Sequence, residues 1–292
     1  MILLENDFLK VNINPVGAEI HSIIGKKDEI NYMWKQDPSQ WAHSAPILFP
    51  IVGALRNGEC KIDNITYKMN QHGFSRNSTY TALHMKKDSV ELELKSNDEI
   101  KQMYPYIFDL NVHYYLVENM LHCDLYVKNI DKNDIYFQIG GHPAFSCPFQ
   151  EGEDVNSYYL EFENKETCSQ KIIDIAKAGM SHTEVPFFDN ENRFFVRQAL
   201  FNNDAIVLKD LKSKCVTLKS LDNDKSLKFH FNNFKYLGIW TAKHVGGLLA
   251  IEPWVGHSDY TDFEGDFKDK EGIVNLKPNE VFKCDFAIEI NQ

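Results

Sequence analysis

Along nearly the whole chain, apolar and polar residues trade places over short runs, and these runs are separated by turns of Asn, Asp, Gly and Lys. A period of two, enriched in aromatic and β-branched residues, predicts strands. The pattern predicts strands at 2–13 and Ala18–Ile24, flanking the turn Asn14-Pro15-Val16-Gly17, and then at Ile30–Trp34. Residues 36–46 lack periodicity and read as a loop, after which the apolar run Ile47–Val52 ends at Gly53. Cys60–Ile62 and Thr66–Met69 form a predicted hairpin around Asp63-Asn64, and Thr79–His84 pairs with Val90–Lys95. The clearest hairpin joins 107–117 to 120–129 at Glu118-Asn119. Phe108, Leu110 and Val112 alternate on its first arm; Leu121, Cys123, Leu125 and Val127 alternate on its second. A strand beginning at Ile135 ends at His142. Further strands are predicted at Tyr158–Phe162, Gln170–Ile175, Ala205–Leu208, Val216–Ser220, Leu227–Phe231, Leu237–Thr241 and Leu248–Glu252. A last hairpin runs Gly272–Leu276 and Val281–Ile290. The one helix signal is the capping-box spacing Ser96-x-x-Glu99, cut short by Pro105.

Roughly fifteen or more strands with almost no helix imply packed antiparallel sheets, a large sandwich or a barrel. No linker, low-complexity segment or short-period repeat interrupts them, so residues 1–292 are expected to form one all-β domain. The pattern alone leaves the topology open.

Composition narrows the function. A hydrophobic content of 43% with 25% charged residues suits a soluble globular chain. A net charge of −11 offers no basic face for nucleic acid or an anionic membrane, which points to a small-molecule partner. The generous aromatic content, 13%, provides planar surfaces suited to sugar faces. Six widely spaced cysteines without a Cys-x-x-Cys pair read as reduced, mostly buried thiols. The start of the chain has no basic region leading into an apolar core, and no apolar run reaches membrane-spanning length. The expected compartment is cytoplasmic, and the expected state is a monomer or weak homodimer.

Four clusters set polar or titratable groups among glycines, prolines and aromatics at predicted strand ends: Arg56-Asn57-Gly58, Gln71-His72-Gly73-Phe74-Ser75-Arg76, Gly140-Gly141-His142-Pro143 and Ile251-Glu252-Pro253-Trp254. Pro143 biases His142 toward extended backbone, holding it at a strand end, and the two glycines allow close approach of another group beside the imidazole. Glu252 closes an apolar strand, where desolvation raises a carboxyl pKa. A histidine and a glutamate so placed bracket neutral pH and suit paired acid and base roles. Each also has a structural reading: a buried, satisfied histidine, a turn histidine at His72, a surface arginine at Arg56. No nucleophile elbow or phosphate-cradling glycine loop occurs, and the histidines lack metal-ligand spacing.

These clusters, in this order on an all-β chain, resemble the aldose 1-epimerases, the galactose mutarotase-like family. The resemblance rests on Gly141-His142-Pro143 with Phe145, on Glu252-Pro253-Trp254, and on Arg56 and His72. It implies a large antiparallel β-sandwich and cofactor-free interconversion of the α and β anomers of a hexose. It further implies Glu252 as general base on the anomeric hydroxyl and His142 as general acid on the ring oxygen. Arg56, His72 and Asp204 match sugar-binding positions, and Trp240 or Trp254 would cover an apolar sugar face. The run from Gln71 to Asn77 resembles the branch acting on hexose 6-phosphates, with Arg76 as the phosphate ligand. A non-catalytic sugar-binding protein is a further alternative. A glycoside hydrolase would need a second carboxylate beside Glu252.

Overall fold

In the strand Gly247–Val255, Leu249 and Ile251 join the main core. By alternation Leu248, Ala250, Glu252 and Trp254 look the other way. The strand is nonetheless buried on both faces, because Leu248 and Ala250 belong to a second small cluster and Trp254 to a third. A computed structural model describes residues 1–242 and 245–292. Its dominant feature is an antiparallel sheet of 15 strands. From one edge the order is Ile47–Leu48, Ile139–Gly141, Gly247–Val255, Tyr236–Trp240, Ile206–Lys209, Tyr158–Asp174, Cys215–Ser220, Ser226–His230, Val281–Asn291, Met120–Asn129, Phe108–Val117, Ser89–Lys95 and Thr81–Met85. The remaining two strands, Ala144–Cys147 and Gly179–Phe195, pair with Gly247–Val255 and Tyr158–Asp174.

This sheet folds back on itself. Phe49, beside the first strand of the order, packs at 4.9 Å on Phe108, which lies on the eleventh. Phe286 of Val281–Asn291 lies against Gly141, seven pairings away. The two halves thus enclose one apolar layer, the sandwich expected from the sequence. A three-stranded sheet, Ile2–Glu5, Leu9–Asn14 and Glu19–Gly25, adds Leu4, Leu9, Val11, Ile13 and Ile20 to that core. None of the described helices is long and apolar enough to cross a membrane. Five of the six cysteines are buried.

Several element boundaries differ from the sequence pattern for local reasons. The predicted strand 2–13 is interrupted because Asn6 Oδ1 accepts the N–H groups of Phe8 and Leu9, turning the chain. Ile30–Trp34 forms only isolated bridges, Ile24 with Asn31 and Met33 with Phe145. The short helix Asp98–Lys101 is capped by Asn97, whose Oδ1 accepts from Ile100 N, rather than by Ser96. The predicted strands Tyr158–Phe162 and Gln170–Ile175 are two ends of one 17-residue strand, and its 17-residue partner Gly179–Phe195 was not anticipated. This hairpin is exposed over much of both faces and carries register shifts, so no apolar alternation announces it.

The segment that positions the site also changes partners. Ile135–Phe137 pairs with Val274–Leu276 in a small two-stranded sheet, whereas Ile139–Gly141 joins the large one. Gln138, fully buried at the crossover, accepts from Val52 N and donates to Glu271 O.

Candidate functional site

Gly247–Val255 is paired on one side with Tyr236–Trp240 and on the other with two short strands in succession, Ile139–Gly141 and Ala144–Cys147. The break between those two is His142-Pro143, and Ile251 N–H donates to Pro143 O across it. Position 253 lies on the same side of the strand as Ile251, opposite the break, so Pro253 lacks no ladder bond and the strand continues past it. His142 N–H donates to Pro46 O (3.1 Å), which fixes the backbone at the break. The two glycines before it serve packing. A Cβ on Gly140 would lie 2.7 Å from Pro253 O and 2.9 Å from Trp254 Cδ1, and one on Gly141 would lie 3.1 Å from Phe286. The space they leave is taken by protein, not held open for a ligand beside the imidazole.

His142 Nε2 stands 3.2 Å from Glu252 Oε2, both groups being buried. Three rings box in the imidazole: Trp41 stacked on it at 4.5 Å and 27°, and His72 and Trp240 edge-on at 5.5 and 5.7 Å. Glu252 Oε2, His142 Nδ1 and Trp254 Nε1 have no partner in hydrogen-bond geometry among the described residues. Leaving such groups unsatisfied costs about 1–3 kcal/mol each, so three of them close together are unusual for core packing. Burial pushes the Glu252 carboxyl well above the usual carboxylate range, Asp204 adds to this, and the Trp254 indole and Arg76 oppose it. Burial pushes His142 well below the usual imidazole range, reinforced by His72 and Arg76.

His72 occupies a left-handed backbone position, φ 67°, and is clasped to Gly53. Its N–H donates to Gly53 O (2.8 Å) and its Nδ1 accepts from Gly53 N (3.1 Å). An accepting Nδ1 places the proton of the neutral ring on Nε2. Burial first, and Arg76 second, push its pKa down to about 3, so the ring is a neutral donor near pH 7.

A pocket of about 430 Å³ opens onto this pair, and His72, Arg76, Asp204, Trp240 and Trp254 all line it. Arg76 follows the turn that carries His72. Its guanidinium is half-buried, its Nε has no hydrogen-bond partner, and it forms no ion pair among the described residues. Asp204 also has a left-handed backbone, φ 74°, and its Oδ1 accepts from Ala205 N.

Arg56 is the one singled-out residue that the structure keeps away from the pair. Its Nη1 donates to Phe263 O (3.0 Å) and Glu264 Oε1 (3.1 Å) in a separate cleft with Cys60 and Thr66. Pairing Arg56 with His72 in the sequence overlooked that its backbone N–H is held by Asp259 Oδ2, which turns it toward the 259–265 segment. Conversely, the sequence reading missed Trp41 and the pocket wall formed by Ile173, Ile175 and Ala178, while Gln71, from a cluster it singled out, does line the pocket. Trp41 carried a usable signal, a tryptophan in an aperiodic loop with no strand face to fill. The wall residues had none: Ile173 and Ile175 lie at the end of a predicted strand whose partner was not anticipated, and Ala178 lies in the turn between the two.

Residues 1–283 match the aldose 1-epimerase family model. The chain is similar to the plasmid-borne and chromosomal LacX proteins of Lactococcus lactis subsp. lactis, 34% identical to each over 99% of both chains. Its fold is similar to the structure of a galactose mutarotase related enzyme from Lactobacillus acidophilus. The TM-score is 0.95 at 30% identity, with coverage of 100% of this chain and 97% of that one. A galactose mutarotase-like protein from Lactobacillus casei aligns over the full length of both chains with a TM-score of 0.92 at 26% identity. By the family match over nearly its whole length, supported by relatives above 30% identity, this chain belongs to the aldose 1-epimerase family.

Proposed function

We propose that this member of the family is an active mutarotase that interconverts hexose anomers, with Glu252 as base and His142 as acid. The observation that carries this reading is the 3.2 Å approach of two buried groups, with Glu252 Oε2 and His142 Nδ1 lacking hydrogen-bond partners among the described residues, beside a pocket of sugar-compatible size. Ring opening needs one proton removed from the anomeric hydroxyl and another delivered to the ring oxygen. A pair holding one proton between its two members meets that need. With the proton on His142, Glu252 takes the hydroxyl proton as His142 protonates the ring oxygen, and the bond from C1 to the ring oxygen breaks. The proton then rests on Glu252. Rotation about the C1–C2 bond and reversal of both transfers give the other anomer and restore the starting state.

The pKa directions favour the proton on Glu252 in the free site, which is its place after ring opening. The pair stands at 3.2 Å but outside hydrogen-bond geometry in the free site, so a small reorientation is needed for the two forms to interconvert. His72, through Nε2–H, together with Arg76 and Asp204, would hold the sugar hydroxyls, and Trp240 would cover an apolar face.

A second reading is favoured by Arg76. A half-buried guanidinium without an ion-pair partner among the described residues suits an anionic substituent, as in a hexose 6-phosphate. Polarimetry of fresh α-D-glucose, α-D-galactose and their 6-phosphates, with Glu252→Gln as control, tests both readings. Acceleration of a free sugar supports the first, and a strong preference for a 6-phosphate supports the second. Sugar binding without acceleration would leave a carbohydrate-binding protein, and catalysis would be rejected.

A further inference from the structure

Trp41 belongs to no strand, yet its place is tightly specified. Trp34 Nε1 donates to Trp41 O (2.8 Å), and Gln40 and Trp41 N–H groups donate to Asp37 O (3.0 and 2.9 Å). Beyond it, Ser44 and Ala45 N–H groups converge on Glu19 Oε1, a buried carboxylate of the three-stranded sheet. The loop is therefore tied on both sides of the indole. That indole lies nearly parallel to the His142 ring at 4.5 Å, and Trp240 meets Trp41 edge-on at 5.8 Å.

We propose that Trp41 is a positioning residue of the reaction, whose indole face sets the plane of the His142 ring toward Glu252 and favours its proton-bearing form. The proposal rests on the acid–base reading given above. The groups facing His142 explain why such support is needed. Arg76, His72 and His43 oppose a positive charge there, as does burial. Glu252 at 3.2 Å favours it, while Asp204 acts only through Glu252. An aromatic face stacked on the ring adds to the favourable side, since the negative face of a π system attracts a cation and does so more strongly out of water. Trp240 and His72 stand nearly perpendicular to the same ring, at 82° and 84°, so of the three Trp41 alone is stacked on it.

The test is Trp41→Leu, with Trp41→Phe as the conservative variant that keeps a stacked ring. Trp41→Leu is expected to lower kcat about tenfold with little change in KM, and to move the acid limb of the pH–rate profile down by about one unit. The alkaline limb, set by loss of the pair's last proton from Glu252, is expected to stay. Trp41→Phe is expected to recover most of both effects. A loss confined to KM would make Trp41 a sugar-stacking surface, and an unchanged acid limb would make the contact mere packing; either overturns the proposal. An arm without sugar follows the His142 ring proton resonances, assigned with His142→Asn. Trp41→Leu is expected to abolish their ring-current displacement and lower the His142 titration midpoint, and failure to do so overturns the proposal. Because that arm needs no turnover, an inactive wild type would reject the mutarotase reading while leaving this measurement readable.

Discussion

Glu252 and His142 meet at the one place where the strand carrying Glu252 changes neighbours. The carboxylate comes from an uninterrupted strand and the imidazole from the break between Ile139–Gly141 and Ala144–Cys147, so their 3.2 Å approach is set by backbone pairing on both sides. Neither side chain depends on a mobile loop for its position. Glu252→Gln and His142→Asn are each expected to cost about 10²–10⁴-fold in kcat. The double variant should lose far less than the product of the two, because the pair works as a unit. Steady-state polarimetry on the four proteins checks this, and simple multiplicative losses would argue for independent roles.

The two arginines make a sharper pair of predictions. Arg76→Met is expected to raise KM at least tenfold, and more for an anionic substrate, since a charge-assisted hydrogen bond contributes about 1.5–3 kcal/mol. Arg56→Met is expected to leave kcat and KM within about twofold of wild type, because its partners are Phe263 O and Glu264 in another cleft. A large KM effect from Arg56→Met would mean that the 56–58 turn rearranges around the sugar.

Stability should fall on mild acidification. His72 is neutral in the fold down to about pH 3, and His257, buried and donating from Nδ1 to Ser258 O, down to about pH 4. In the unfolded chain both take up a proton near pH 6.5. Their folded pKa values are depressed, so their contribution is complete above about pH 6.5 and is lost as pH falls toward those folded values. Each costs up to about 1.4 kcal/mol per pH unit through that window. Urea unfolding at pH 6.5 and 4.5 measures the slope. His72→Asn, which tolerates the left-handed backbone, is expected to flatten it by about one histidine's share.

Gly140→Ala probes the floor of the site without adding a functional group. The new methyl would press on Pro253 O and Trp254, the two residues after Glu252. A loss of about 1–3 kcal/mol in stability is expected, with kcat falling because the Glu252 strand must shift. Unchanged melting and activity would show the strand pairing here to be slack.

The alternation of Phe108, Leu110 and Val112 against Leu121, Leu125 and Val127 was legible because one face of that hairpin is core and the other solvent. His142 and Glu252 were legible as a pair through their glycine, proline and tryptophan neighbours, which mark strand ends and buried surroundings in any sequence. Their separation was not, because register across the break is a property of three strands together. Both arginines were read as substrate ligands, Arg56 for the sugar and Arg76 for a phosphate. Bonds from Arg56 to Asp259, Phe263 and Glu264, more than 200 positions away, are what set it in another cleft. The second arm of the hairpin that walls the pocket, Gly179–Phe195, was lost for the opposite reason, since it is exposed along much of its length and carries no hydrophobic period.

That hairpin divides the labour of the molecule in a way that bears on its history. The proposed proton-transfer pair is anchored on a strand buried along nearly all its length, where a change of one methylene would be felt. Of the wall residues, Ile173 packs against the small cluster that holds Trp254, whereas Ile175 and Ala178 lie exposed in the turn beyond it. Residues there can be inserted, deleted or recoloured at small thermodynamic cost. Under the proposed function, selectivity for one sugar over another would be free to drift between lineages at the hairpin turn while the chemistry beneath it stayed fixed.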